Sequence, residues 1–165
     1  FAVIRQKTGN LIASTCALGA LYAGADTGRR KALAAYGDHI GAAFQVVDDL
    51  LDFLGDQQST GKKAGNDFIE GKVTLPLLHA LARAGGDERR EMELLMRADR
   101  TGPEAFARLR ALIERFDGFT TAALKARQLV QQAAACLDIF AERAPARDNV
   151  ALLKHVGASI LTRTK

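Results

Sequence analysis

The stretch IGAAFQVVDDLLDFL, residues 40–54, decides the fold. It is apolar almost throughout, and its polar side chains are Gln45, Asp48, Asp49 and Asp52. A helix that is apolar nearly all round is buried among other helices. The segment that contains this stretch begins near Arg29. We therefore expect one long helix from about Arg29 to Leu54 in the middle of a helical bundle.

The composition favours helices along the rest of the chain. The 165 residues are 48% hydrophobic and 25% charged, which is typical of one compact domain and excludes disordered and collagen-like chains. The chain has 30 alanines, only three prolines and no tryptophan. Alanine favours helices and proline interrupts them. No stretch alternates as a strand does. The predicted fold class is all-α.

Capping residues predict where the other helices begin. Residues 1–24 have helical spacing and many small side chains, which favour close approach of neighbouring helices: Ala13, Ser14, Ala17, Gly19, Ala20 and Ala23. Residues 55–71 contain four glycines among polar side chains and predict a long loop. The expected first residues or caps are Asp26 or Thr27, Thr74 with Pro76 (helix to about Ala84), Asp87 (through Ala98), Thr101–Glu104, Asp117 or Thr120 (to about Arg143) and, after Pro145, Asp148.

Three carboxylates of the central helix point to a cation. Asp48 and Asp52 are four residues apart and Asp49 and Asp52 three, so all three share a face, with Gln45 one turn earlier. Their neighbours are apolar, no Lys or Arg lies within a helical turn, and an uncompensated buried carboxylate costs several kcal/mol. Oxygen ligands without His or Cys select Mg²⁺, which also binds phosphate oxygens. The alternative is a solvated acidic patch.

The predicted loop adds positive charge in Lys62, and Lys72 follows its end. Lysine binds phosphate as a point charge, and the alternative is that these lysines are ordinary solvated charges of a loop. A P-loop is excluded, because Gly55 and Gly61 enclose five residues instead of four, Lys63 stands where Ser or Thr is required, and no strand precedes the loop.

Other classes of function find little support. No arginine-rich stripe with aromatic residues indicates nucleic-acid binding. Cys16 and Cys136 lie in apolar helical contexts, which fits a reducing compartment. No apolar run approaches the length of a membrane span, and no signal peptide is recognisable, so a cytoplasmic location is expected. The first residue, Phe1, enters a helical pattern without a cap, which suggests that the beginning of the chain is missing.

The ordered motifs resemble the C-terminal part of an all-trans isoprenyl diphosphate synthase of the polyprenyl synthetase family. The resemblance covers most of residues 1–84. Its motifs are Lys7-Thr8-Gly9, Phe44-Gln45, the second aspartate-rich motif Asp48–Asp52, Gly61-Lys62 and the run from Gly65 to Pro76. It implies the isoprenoid-synthase helical bundle, with residues 1–165 as the C-terminal part of a single domain.

The resemblance also implies a role for each matching residue. Asp48 and Asp52 would bind one Mg²⁺ of a three-metal cluster, with Asp49 supporting them. Lys7 and Lys62 would contact the diphosphate of the allylic substrate, and Lys72 would add to the positive field. Thr8 and Gln45 would lie beside the scissile bond and stabilise the allylic cation.

The implied reaction joins an allylic diphosphate to isopentenyl diphosphate and releases pyrophosphate. The first aspartate motif of the family is absent, so we expect this span alone to be inactive and the complete chain to be the enzyme. A homodimer is expected, and the lipid product implies loose association with membranes. The run from Gly65 to Lys72 resembles long-chain synthases more than short-chain ones.

Three other hypotheses remain open. The first is a non-catalytic subunit of a heteromeric prenyl synthase, although such subunits usually lack the aspartates. The second is a related terpene cyclase. The third is a helical scaffold whose acidic face pairs with a neighbouring helix, and it predicts no response to Mg²⁺ and pyrophosphate.

Overall fold

The computed structural model describes residues 4–55, 64–97, 100, 102–140 and 147–163. All regular structure in these ranges is helical, which confirms the predicted all-α fold. A π-helical turn, Arg5–Gly9, continues directly into α1. The helices are α1 (Asn10–Tyr22), α2 (Thr27–Leu54), α3 (Asn66–Ile69), α4 (Leu75–Arg83), α5 (Gly86–Arg97), α6 (Pro103–Arg115), α7 (Gly118–Cys136) and α8 (Arg147–Thr162), with a 3₁₀ turn at Asp138–Phe140.

The long central helix forms as predicted. It begins at Thr27, and the Asp26 carboxylate accepts the backbone N–H of Arg29 at 2.9 Å, so Asp26 is the cap. Thr74 precedes α4 as expected, but its side chain makes no capping hydrogen bond. Asp87 and Asp148 lie in the first turns of α5 and α8 instead of capping them.

The later helix ends differ more from the predictions. The residue before α6 is Gly102, and Thr101 lies outside the described residues. The carbonyl of Asp117 accepts the N–H of Thr121 at 2.9 Å, so α7 starts at the earlier of the two predicted positions. It ends at Cys136, well before Arg143, because the chain tightens there into the 3₁₀ turn.

The chain divides into two compact units. The first unit comprises residues 4–47 and 125–163, and the second unit comprises residues 48–124. Because the boundaries fall at Val47 and Leu124, α2 and α7 each contribute residues to both units. The expectation of a single domain stays a prediction.

Glycines hold two helical segments of the first unit backbone to backbone. A Cβ on Gly41 would lie 2.7 Å from Cα of Gly9, and a Cβ on Gly37 would lie 2.7 Å from the carbonyl oxygen of Ile12. Both distances are shorter than real Cβ contacts. The small-residue pattern therefore predicted close approach correctly at Ala13, whose Cα and nitrogen would lie 2.8 Å and 2.9 Å from a Cβ on Gly37. It does not hold at Gly19, since nothing lies within 4 Å of a Cβ there.

The far end of the chain completes the first unit. The Tyr36 hydroxyl, on α2, donates to the carbonyl of Leu153, on α8, at 2.8 Å. A Cβ on Gly157 would lie 3.0 Å from Cδ1 of Ile40, so α8 also lies close to the middle of α2.

Phenylalanine rings form the core of the second unit. The ring of Phe53 stacks on Phe106 at 5.7 Å between centroids and contacts Phe119 at the same separation. Phe68 lies 5.9 Å from Phe106. Offset and tilted ring pairs of this kind stabilise a core beyond the area that they bury. The cluster fixes the end of α2 against α3 and α6.

Both cysteines are free thiols, and burial raises the pKa of Cys16 and of Cys136. In the part of the chain that the structure describes, no helix has both the length and the apolar composition that crossing a membrane requires.

Candidate functional site

The three aspartates of α2 lie on one continuous helix, so their predicted spacing is real. Asp49 is only 6% exposed, while Asp48 and Asp52 are half-buried. Burial of this extent disfavours the solvated acidic patch, because ionised carboxylates are rarely buried without compensation.

Asp52 holds the chain that returns after α2. Its two carboxylate oxygens accept the backbone N–H groups of Asn66 at 3.1 Å and Asp67 at 3.0 Å. Its backbone carbonyl accepts the N–H of Gly65 at 2.8 Å. Gly65 has a φ of 89°, a conformation that glycine adopts without strain. The run from Gly65 to Lys72 is thereby fastened to the end of the aspartate motif.

The environment of Asp52 opposes its ionisation. Burial raises the pKa of this carboxyl most strongly, and the negative charge of Asp67 raises it further. The two backbone N–H groups and the positive charge of Lys72 act in the opposite direction. Part of the compensation that the sequence required thus comes from residues 66–72, and a cation bound here would relieve the remainder.

Lys72 is already engaged by two carboxylates. Its Nζ lies 2.9 Å from Oδ1 of Asp67 and 2.6 Å from Oε2 of Glu70. The hydrogen bonds to Glu70 and then Asp67 raise the pKa of Lys72 above its usual value. The lysine is a fixed positive charge with an exposed side chain, 45% accessible. A phosphate group that binds Lys72 must compete with Glu70 and Asp67.

A separate polar pair lies in the first unit. The hydroxyl of Thr8 donates to Oε1 of Gln45 at 3.1 Å, and Gln45 is 4% exposed. Thr8 belongs to the π-helical turn, a distortion that is frequent at functional sites. Lys7, in the same turn, is exposed. Thr8 and Gln45, which the resemblance assigns to the same scissile bond, are therefore in contact with each other.

The carboxylates fit a magnesium ion of the kind that keeps most of its water. Over the described residues, no three or more His, Cys, Asp or Glu side chains are grouped so that they could hold a metal ion. Mg²⁺ usually takes one or two protein carboxylates and completes its shell with water and phosphate oxygens. Asp48 and Asp52, one turn apart on α2, meet that smaller requirement.

Sequence reasoning missed two members of this site and named one that cannot be placed. Asp67 and Glu70 were part of a recognised run, but neither was assigned a role. Two acidic side chains so near to Lys72 in the sequence were the signal that could have identified them. Lys62, a predicted diphosphate contact, lies outside the described residues.

Comparison with known proteins gives a consistent result. The Polyprenyl synthetase family model matches residues 1–113. An octaprenyl diphosphate synthase from Haemophilus influenzae is 34% identical over 142 residues, which cover 85% of this chain and 42% of that protein. A heptaprenyl diphosphate synthase component 2 from Geobacillus stearothermophilus is 42% identical over 114 residues, 69% of this chain and 34% of that protein.

A solved structure extends the similarity to the fold. A polyprenyl synthase from Caulobacter crescentus, complexed with calcium and isoprenyl diphosphate, superposes with a TM-score of 0.88. Its sequence is 35% identical, and the match covers 99% of this chain and 48% of that one. The chain thus spans less than half the length of these three proteins.

Proposed function

Because the chain belongs to the polyprenyl synthetase family, we propose that the full-length protein is a trans-prenyltransferase. It joins an allylic diphosphate to isopentenyl diphosphate. The carbon–oxygen bond of the allylic diphosphate breaks, a carbon–carbon bond forms and pyrophosphate and a proton leave. The products are a longer all-trans polyprenyl diphosphate and pyrophosphate.

One observation carries the proposal. The carboxylate of Asp52 binds the backbone of Asn66 and Asp67, which joins the aspartate motif of α2 to the run that ends at Lys72. Carboxylates for a divalent cation and a fixed ammonium group thereby lie in one compact unit. Diphosphate recognition requires these two kinds of group together.

Asp48 and Asp52 would hold Mg²⁺, with Asp49 supporting them. When bound, Mg²⁺ supplies positive charge that stabilises the departing pyrophosphate. The calcium in the Caulobacter crescentus protein supports a divalent cation in the family. Magnesium follows from the oxygen-only donor set.

The chain's own cations act on the same leaving group. Lys7, Lys62 and Lys72 would bind the diphosphate, and their charge favours the state in which negative charge has moved onto pyrophosphate. The oxygens of Thr8 and Gln45 would lie beside the carbon that becomes cationic. Their mutual hydrogen bond fixes the direction in which the Gln45 amide points.

The test is a product assay on the full-length protein with Mg²⁺, farnesyl diphosphate and isopentenyl diphosphate, analysed by mass spectrometry. Wild type and Asp87→Ala are expected to make the same prenylated products, since the Asp87 side chain is 99% exposed. Asp48→Ala is expected to make none. Product formation that is unaffected by Asp48→Ala would overturn the metal role of that residue.

A non-catalytic subunit is the second candidate. A relative named as component 2 of a heptaprenyl diphosphate synthase supports only the existence of synthases with more than one component among the relatives. It predicts no products from the pure full-length protein and products after a partner subunit is added. The homodimer and the cytoplasmic location stay predictions.

A further inference from the structure

Arg100 lies against the turn that carries Lys72. Gly71, the residue before Lys72, has a φ of 72°. A Cβ on Gly71 would meet the guanidinium carbon of Arg100 at 3.0 Å and both terminal nitrogens at 3.2 Å. The planar guanidinium therefore lies directly over the Cα of Gly71, in space that only a glycine leaves open.

Arg100 also binds the ends of two helices. Its Nε donates to the carbonyl of Ile69, the last residue of α3, at 3.2 Å. Its Nη1 donates to the carbonyl of Met96, in the last turn of α5, at 2.7 Å. Carbonyl groups at helix C-termini lack partners inside the helix and carry partial negative charge, so a fixed cation suits them.

The turn is thus held at both ends. At its start, Asp52 binds the N–H groups of Asn66 and Asp67, and toward its end Arg100 binds the carbonyl of Ile69. The turn is closed by the N–H of Lys72, which donates to the carbonyl of Asp67 at 2.8 Å. The ammonium group of Lys72 therefore projects from a backbone whose position Arg100 helps to set.

We propose that Arg100 is a positioning residue for diphosphate binding, and that it acts through Lys72. The inference rests on the proposed function, because it assigns Arg100 a part in the same site. Arginine suits this place better than lysine, because its planar guanidinium can bind two carbonyls and stack on Gly71 at the same time.

The test is a double-mutant cycle on the full-length protein. Binding of pyrophosphate in the presence of Mg²⁺ is measured by calorimetry for wild type, Arg100→Gln, Lys72→Gln and the double variant. Arg108→Gln is the matched control, because Arg108 is an exposed arginine of the same unit that pairs with Glu91. Circular dichroism and thermal unfolding verify that each variant folds, and Arg100→Lys replaces Arg100→Gln if the latter does not fold.

Arg100→Gln is expected to weaken pyrophosphate binding about fivefold to tenfold, within the range of coupling between residues that share a backbone shift. Arg108→Gln should change it less than about twofold. The decisive expectation concerns the cycle: with Lys72 already replaced, Arg100→Gln should have no further effect. A purely structural role would weaken binding on both backgrounds.

Each outcome decides between these possibilities. A wild-type protein that does not bind pyrophosphate overturns the proposed function and this inference with it. If wild type binds pyrophosphate and Arg100→Gln or Arg100→Lys binds it as tightly as Arg108→Gln, only the inference fails. Equal losses with and without Lys72 also overturn it, because Arg100 would then not act through that lysine.

Discussion

Replacing Gly41 with alanine is expected to separate the π-helical turn from α2. The added Cβ would lie 2.7 Å from Cα of Gly9 and 3.1 Å from its nitrogen. Carbon atoms in good contact are about 3.5 Å apart or more, so the two backbones must move apart by roughly 0.8 Å. The same shift would lengthen the 3.1 Å hydrogen bond between Thr8 and Gln45 beyond a useful distance.

The cost follows from two opposing effects. Overpacking a tight contact costs typically about 1–3 kcal/mol, and the upper end applies because the atoms that collide belong to backbone. Alanine gains up to about 1 kcal/mol over glycine inside a helix. The net destabilisation is about 2 kcal/mol. Gly19→Ala is the matched control, since a Cβ there meets nothing within 4 Å, and it should stabilise the protein slightly.

Urea unfolding of the full-length protein, followed by circular dichroism, measures both effects. If Thr8 and Gln45 stabilise the allylic cation, Gly41→Ala should also lower kcat of prenyl transfer, while Gly19→Ala should leave it unchanged. A Gly41→Ala protein as stable as wild type would refute the reasoning. So would a Gly19→Ala protein that loses as much stability as Gly41→Ala.

Three further outcomes are expected. Asp52→Ala removes both acceptors of the returning backbone and should lower the free energy of unfolding by about 2 kcal/mol. Asp52→Asn keeps one acceptor but turns an NH₂ donor toward the other N–H, so it should lose more than about half of that; an unchanged free energy of urea unfolding in either variant would contradict this. Glu70→Gln leaves Lys72 with one carboxylate fewer and should tighten pyrophosphate binding about threefold in calorimetry, since exposed pairs contribute modestly; unchanged or weaker binding would count against competition by Glu70. The N–H of Arg29 holds the pKa of Asp26 below its usual value, so the stability that the Asp26 charge adds is complete well above pH 3.8 and is lost as the pH falls through the lowered pKa. The difference in thermal midpoint between wild type and Asp26→Asn should vanish in acid. A difference that grows as the pH falls would contradict this prediction.

Features that depend on neighbours in the sequence were predictable. Asp26 caps α2 because its carboxylate reaches an N–H three residues later. The Asp48–Asp52 spacing is set by helix geometry alone. Glycine positions were harder, because a pattern of small residues does not tell which of them face a neighbour. Gly41 touches another backbone and Gly19 does not.

Contacts between distant residues could not be predicted in this way. The carbonyl that Arg100 binds at Ile69 is 31 residues away, and an arginine in a polar stretch is typical of a solvated surface. The two carboxylates on Lys72 are close in sequence, but they meet it only because the chain turns at Gly71. Resemblance supplied a role for Lys72 alone, whereas the contacts that Arg100, Asp67 and Glu70 make required the structure.

The hydrogen bond from Tyr36 to Leu153 bears on how the protein is made. Its partners are 117 residues apart, and the whole of residues 48–124 is synthesised between them. A ribosome must therefore release Leu153 before this contact of the first unit can form, while residues 48–124 of the second unit are available earlier. Contacts of such long range slow folding. During synthesis the apolar face of α2 near Tyr36 stays uncovered by α8 until α8 has been made. Chaperones can bind this face in that interval.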